Sequence, residues 1–188
     1  MHKKTKIYII VSLIVIMCIA IGVVFLQNNQ NRKFSMKLDV NSSQSNIITY
    51  TDKLPLNDNM GKEFKYNNDN KNVQGYYEFE ITNKYDKGTF FEIYVDMEDY
   101  PNLVHSNFIK LYLTDGNNKP IDGFNGKAVP TFYKLKNSSS SVTGKRLYRG
   151  YIKSKESKNF ILRSWIGDAY SIGSYEKEVK FVVNVEVD

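Results

Sequence analysis

Residues 179–187 read VKFVVNVEV, and positions 179, 181, 183, 185 and 187 of this run are all apolar. Successive side chains of an extended strand point to opposite faces, so this period of two predicts a strand with one buried face. The same alternation recurs over residues 77–82, 91–96, 108–113, 147–152 and 160–163. The chain is therefore predicted to be rich in short, half-buried strands.

Clusters of Asn, Asp, Gly and Ser separate these runs, and no stretch after residue 30 shows helical periodicity with capping residues. Regular strands divided by turns predict an all-β fold, an antiparallel β-sandwich of jelly-roll or immunoglobulin-like type. The 14 Tyr and 11 Phe suit a core between two sheets and argue against disorder.

A different pattern occupies residues 7–26, IYIIVSLIVIMCIAIGVVFL, which contain no charge. As a helix they would extend about 30 Å, the thickness of the hydrocarbon core of a bilayer. Lys3, Lys4 and Lys6 precede this run, and positive charge favours the cytoplasmic side. We therefore predict a cytoplasmic tail (1–6), a single-pass signal-anchor (7–26) and an extracytoplasmic remainder.

The alternative to an anchor is a cleaved signal peptide, which would make the protein secreted. The best cleavage site, Cys18-Ile19-Ala20, would leave an apolar new amino terminus, so the anchor is favoured. Lipidation of Cys18 is disfavoured because Met17, rather than a small residue, precedes it.

After the predicted anchor, residues 27–46 form a polar tether that contains one short alternating segment, FSMKLDV (34–40). This segment can pair either with the chain's own sheet or with the exposed edge of a neighbour. Residues 47–188 are predicted to form the β-sandwich domain.

Composition and charge exclude several classes of protein. One cysteine and two histidines permit neither a disulfide framework nor a Cys/His zinc site. The net charge of +6 falls to +3 beyond the anchor, where 23 basic and 20 acidic residues are interspersed. No concentrated basic face is indicated, so nucleic-acid binding is not expected.

No residue pattern points to catalysis, and neither a catalytic residue nor a cofactor is predicted. His105 lies in a loop before a strand, and the chain contains no G-x-S-x-G motif that would supply a serine nucleophile for it. Cys18 lies within the predicted membrane span, so it is not an extracellular nucleophile. An enzyme would need paired carboxylates, which requires Glu78 or Glu92 to approach Asp96.

Calcium binding is left open at one acidic group and disfavoured at a second loop. Asp96, Glu98 and Asp99 offer carboxylate oxygens near a strand end, but a solvated turn has the same composition. In Asp115–Gly123, Lys119 stands where a calcium loop needs an oxygen ligand. A hairpin turn is the better interpretation, and no metal site is predicted.

Trp165, the only tryptophan, continues an alternating apolar strand. A tryptophan in this setting is more often part of the core, and the alternative is an exposed platform for a glycan.

Three segments carry a loose resemblance to a known family: YEFEITN (77–83), a strand that ends at Asp115, and FILRSWI (160–166) before a Val-rich final strand. In this order they resemble the TasA/camelysin group of Gram-positive surface and matrix-fibre proteins. The resemblance implies an export segment, one β-sandwich and, in some members, assembly by donation of an amino-terminal strand. It implies no catalytic residue.

The sequence thus predicts a non-enzymatic, membrane-anchored bacterial surface protein that acts through protein–protein contact, for example as a subunit of a surface or matrix assembly. The alternative is a carbohydrate- or calcium-binding surface module.

Overall fold

Strands dominate the computed structural model, which describes residues 33–38, 44–52, 56–63, 75–97, 104–169 and 177–187. The strands are β1 (Lys33–Leu38), β2 (Gln44–Asp52), β3 (Gly75–Asn83), β4 (Thr89–Met97), β5 (Ile109–Asp115), β6 (Lys145–Ile152), β7 (Ser157–Ile166) and β8 (Lys177–Val187). One short helix, α1 (Asp58–Glu63), and a 3₁₀ turn at Phe132–Lys134 complete these elements.

The strands form two sheets, the first in the order β1-β3-β7-β5 and the second in the order β2-β8-β4-β6. Odd-numbered strands thus lie in the first sheet and even-numbered strands in the second. Five of the neighbouring pairs have a defined register, and all five are antiparallel. The predicted antiparallel all-β sandwich is confirmed.

Of the two predicted sandwich types, the immunoglobulin-like one is not formed, and the jelly-roll type stays a prediction. An immunoglobulin sandwich keeps its first two strands in one sheet. Here no two consecutive strands among those described share a sheet. The alternation of side chains reveals which residues form a strand but says nothing about which strands pair.

Apolar side chains from the inner faces of both sheets form the core. On β3, buried and half-buried residues alternate without a break, as the period of two predicts. Phe79 stacks on Phe160 of the neighbouring strand with ring centroids 5.5 Å apart, and Phe91 of the second sheet meets the same ring edge-on at 6.4 Å.

Residues 27–46, the stretch predicted as a tether, contain strand β1 and the start of strand β2. The FSMKLDV segment contributes β1, which lies beside β3, so it pairs with the chain's own sheet. Met36 of β1 is only 2% exposed. Strand β2 begins at Gln44 and pairs with β8 over all nine of its residues, although its polar start reads as a loop in the sequence.

Helix α1 is not predicted from the sequence, where no stretch after residue 30 shows helical periodicity with capping residues. Asn57 caps the helix: its side-chain Oδ1 accepts the backbone N–H of Met60 at 3.0 Å. The helix has six residues, too few for an apolar periodicity to show in the sequence.

The predicted tail (1–6) and signal-anchor (7–26), with Cys18, lie outside the described residues and stay predictions. Among the residues that are described, no helix has the length and apolar character needed to cross a membrane.

Candidate functional site

The outer face of the second sheet gathers polar side chains around β4. Glu92, Tyr94 and Asp96 share this face, and Glu186 and Asn184 of β8 lie directly opposite Glu92 and Tyr94. Glu92 is fully buried, although it faces away from the core between the sheets.

A loop at residues 138–143, here called the serine loop, covers Glu92. Ser138 Oγ donates to Glu92 Oε1, which also accepts the backbone N–H of Ser139 at 3.1 Å. The Ser139 hydroxyl donates to Glu92 Oε2 at 2.5 Å. Arg146 Nη1 lies 3.9 Å from the same oxygen, so the buried carboxylate has both hydrogen-bond donors and a counter-charge.

The same loop also contacts Asp96. Ser141 Oγ and Thr143 Oγ1 donate to Asp96 Oδ1 at 2.9 and 3.1 Å, and Asn184 Nδ2 donates to Oδ2 at 2.9 Å. Both carboxylates of β4 therefore hold the serine loop against the sheet.

Calcium binding at Asp96, Glu98 and Asp99 stays an open alternative, because Glu98 and Asp99 lie outside the described residues. The three donors on Asp96 compete for the oxygen lone pairs that a calcium ion would need. Within the described ranges, no group of three or more His, Cys, Asp or Glu side chains is placed to hold a metal ion.

A paired-carboxylate active site at Asp96 is not formed. Glu92 and Asp96 are four residues apart on one strand, a separation of about 13 Å, whereas glycosidase carboxylates are about 5–9.5 Å apart. Glu78 lies on β3 in the other sheet. The approach of Glu78 or Glu92 to Asp96 that an enzyme of this type would need is therefore not seen.

His105 is exposed in the loop before β5, where its Nδ1 accepts the backbone N–H of Asn107 at 3.2 Å. Its ring also meets Phe108 edge-on, with centroids 6.5 Å apart. These contacts fit a loop-capping residue.

The Asp115–Gly123 segment is a hairpin turn, as predicted. Asp115 Oδ1 accepts the backbone N–H groups of Asn117 and Lys119, both at 2.9 Å. The chain then reverses and forms an antiparallel bridge between Thr114 and Pro120, so the turn pairs with the outer edge of β5.

Trp165 is part of the core, as the preferred interpretation predicts. It is 1% exposed and lies on the outer face of the first sheet beneath α1. A Cβ atom added to Gly61 of that helix would lie 2.2 Å from Trp165 Cε2, which shows how closely the helix packs on the indole. The exposed glycan platform is therefore wrong.

Polar contacts hold α1 in place over Trp165. Asp58 Oδ2 accepts the backbone N–H of Val129 at 2.7 Å, and its Oδ1 lies 3.2 Å from Lys110 Nζ. From the end of the helix, Lys62 Nζ donates to the carbonyls of Gly126 and Lys127. A distant loop thus fixes the helix on the sheet.

Further along the same outer face, Arg163 is 2% exposed and its guanidinium lies 5.2 Å from the centroid of the Tyr76 ring. The Tyr76 hydroxyl donates to Glu78 Oε1 at 2.9 Å. Burial, reinforced by this hydrogen bond and the charge of Glu78, raises the pKa of Tyr76 to about 12, against a smaller opposite effect of Arg163.

This pKa predicts a loss of stability at alkaline pH. Between pH values of about 10 and 12 the unfolded chain ionises Tyr76 while the folded chain keeps it protonated, so stability falls as pH rises through this window. We expect Tyr76→Phe to reduce the slope of unfolding free energy against pH, measured by urea denaturation at pH 9 to 12. Burial also raises the pKa of Tyr94, Tyr112 and Tyr148, so part of the slope will remain. An unchanged slope in Tyr76→Phe would contradict this assignment.

The outer face of the second sheet also presents an exposed aromatic pair. Phe90 of β4 lies opposite Tyr151 of β6, with ring centroids 5.2 Å apart and exposures of 55% and 46%. The sequence contains a signal for this pair: Phe90 and Phe91 are adjacent in one strand, so one of them must point away from the core.

Together these features define the class of the protein: an all-β sandwich with a polar, loop-covered outer face and an exposed aromatic pair beside an edge strand. No family model and no curated protein matches the chain.

Solved structures with some likeness include periplasmic inhibitors of g-type lysozyme, named PliG. Those from Aeromonas hydrophila and Salmonella Typhimurium are 10% and 11% identical to this chain, with TM-scores of 0.31 and 0.36. A mutant of the Escherichia coli protein is 11% identical, with a TM-score of 0.34. Each alignment covers 84% of this chain and 98% of the other. With TM-scores this low, the fold assignment rests on this chain's own strand order and register.

Proposed function

We propose that this protein is a non-enzymatic β-sandwich, anchored at the outside of a bacterial membrane by residues 7–26, that acts by protein–protein contact. The observation that carries the proposal is the exposed pair formed by Phe90 and Tyr151. Aromatic side chains are enriched in protein interfaces and supply much of the binding energy there.

The surroundings of the pair favour contact with a protein over chemistry on a small molecule. The buried carboxylate of Glu92 is engaged by the serine loop and Arg146, and that of Asp96 by the same loop and Asn184. These interactions stiffen the surface beside the pair, and a stiff surface loses little conformational entropy when a partner binds. The resemblance to TasA/camelysin proteins would make this contact part of a surface assembly.

The contact is tested on the full chain in its own membrane by comparing two variants. Replacing both aromatic residues in Phe90→Ser/Tyr151→Ser is expected to abolish the complexes trapped on intact cells by a membrane-impermeant cross-linker. The matched control is Tyr133→Ser, which removes a more exposed ring (65%) from the 3₁₀ turn and should leave the complexes unchanged. Equal cross-linking of both variants would show that the pair is not the contact surface.

The location is tested separately. Protease added to intact cells should cleave the sandwich, and a chain without residues 1–27 should leave the membrane fraction. Full protection from external protease would contradict an extracytoplasmic position.

A further inference from the structure

The four sheet edges are protected to different degrees. Along β5, backbone hydrogen bonds run from Leu111 N–H to the Pro130 carbonyl and from Ile121 N–H to the Leu113 carbonyl, so loop segments already pair with this edge. Strand β1 carries Lys33 and Lys37, and lysine on an edge strand discourages pairing.

Strand β2, at one end of the second sheet, has none of these protective features. Its sequence QSNIITYTD contains no Pro, no Gly and no charge before Asp52, and no described segment pairs with its outer edge. Ile47 is 63% exposed. A long, uncharged edge of this kind is a template for an added strand.

Strand β6, at the other end of the same sheet, is partly open. At its start the backbone N–H of Arg146 donates to the Lys136 carbonyl, which closes the edge there. Further along, a side chain contacts this edge: Lys158 Nζ donates to the Tyr151 carbonyl at 2.7 Å. A flexible lysine can be displaced by an incoming strand, so residues 148–152 can accept one.

Strand direction makes the two edges compatible. The order β2-β8-β4-β6 is antiparallel at every step, so β2 and β6 run in opposite directions. A second copy displaced along the sheet therefore places its β2 antiparallel to β6 of the first copy. Every strand of the joined sheet is then antiparallel to its neighbours.

Charge and side-chain placement favour the pairing of β2 with β6 over the pairing of β6 with the β6 strand of a second copy. Strand β6 contains Lys145, Arg146 and Arg149 with no acidic residue, whereas β2 contains no basic residue. The registers through β8 and β4 put Ile47 on the same face as Phe90 and Tyr151. With residues 148–152 opposite 46–50 of the next copy, Ile47 would face Tyr151 and extend the aromatic pair.

We propose that the partner of this surface is a second copy of the chain, with the β2 edge of one copy adding to the β6 edge of the next. The inference rests on the proposed function and names its partner. The contact is head-to-tail, and between copies related by a shift along the sheet it yields open chains of subunits.

The test uses the full chain in detergent micelles and two edge variants. Ile47→Lys blocks the β2 edge and Tyr151→Lys blocks the β6 edge. Val142→Lys, at a fully exposed position of the serine loop (101%), is the matched control. Sedimentation velocity over a hundredfold concentration range gives the oligomer distribution, and circular dichroism checks that each variant is folded.

We expect the wild type and Val142→Lys to form oligomers that grow with concentration, and each edge variant alone to be monomeric. An equimolar mixture of the two edge variants should form dimers and nothing larger, because each retains one intact edge. Self-association of either edge variant alone, or failure of the mixture to dimerise, would overturn the head-to-tail pairing. A wild type that stays monomeric but still forms complexes on cells through Phe90 and Tyr151 would overturn this inference and leave the proposed function standing.

Discussion

Trp165→Ala is expected to lower the free energy of unfolding by about 3–5 kcal/mol. Trp165 is 1% exposed and is among the largest fully buried side chains of the described residues, so its removal leaves a large cavity beneath α1. The measurement is urea denaturation followed by far-ultraviolet circular dichroism, because the variant has lost the only tryptophan fluorophore.

A double-mutant cycle with Gly61 shows whether the helix packs on the indole. Gly61→Ala alone should destabilise by about 1–3 kcal/mol through overpacking, since the new Cβ would lie 2.2 Å from the ring. In the Trp165→Ala background the same change should cost almost nothing. The control is Gly126→Ala, whose nearest neighbour, the Ala128 carbonyl oxygen, is 3.7 Å away. Additive effects of the two substitutions would contradict the contact.

Asn83→Ala is expected to cost about 2–4 kcal/mol, since it removes a buried side chain and leaves the three backbone groups bonded to it without that partner. Asn83 is fully buried at the end of β3. Its Nδ2 donates to the carbonyls of Lys87 and Lys153 at 2.9 and 3.0 Å, and its Oδ1 accepts the Tyr85 N–H at 2.9 Å. One side chain thus joins the connection after β3 to the connection between β6 and β7.

The nearly isosteric variant Asn83→Asp separates shape from hydrogen bonding. It keeps the acceptor for Tyr85 but turns a carboxylate oxygen towards two carbonyls, so it should be destabilised at least as much as Asn83→Ala at neutral pH. Asn125→Asp, at an exposed loop position, controls for the added charge. The measurement is the thermal unfolding midpoint of the three variants compared with that of the wild type. Wild-type stability in Asn83→Asp would refute the assigned hydrogen bonds.

The strands were predictable from the sequence because side-chain alternation is a local property. The six alternating runs, among them the one at residues 179–187, fall within strands β3 to β8 apart from Phe108, which lies one residue before β5. Strand β2 escaped prediction because its first residues, Gln44, Ser45 and Asn46, are polar yet pair with β8. Which strands are neighbours depends on contacts distant in sequence, and a pattern of period two contains no such information.

The outer face of the second sheet was less predictable for the same reason. Alternation with Phe91 and Ile93 places Glu92 on the solvent side of β4, yet the residue is fully buried. The groups that cover it, Ser138 and Ser139, lie 46 and 47 positions later in the chain. The sequence shows these serines only as a turn.

Strict alternation of strands between the two sheets also determines when the sandwich can assemble. Gln44 must find Val185 and Asn46 must find Val183, so β2 has no partner until nearly the whole chain is available. Strands β3, β4 and β5 likewise need β7 or β8 to join their sheets. A fold dominated by such distant pairings has a high contact order and is expected to form in milliseconds to seconds. If the sandwich domain crosses the membrane with its amino-terminal end leading, most of its sheet edges stay open until export is almost finished.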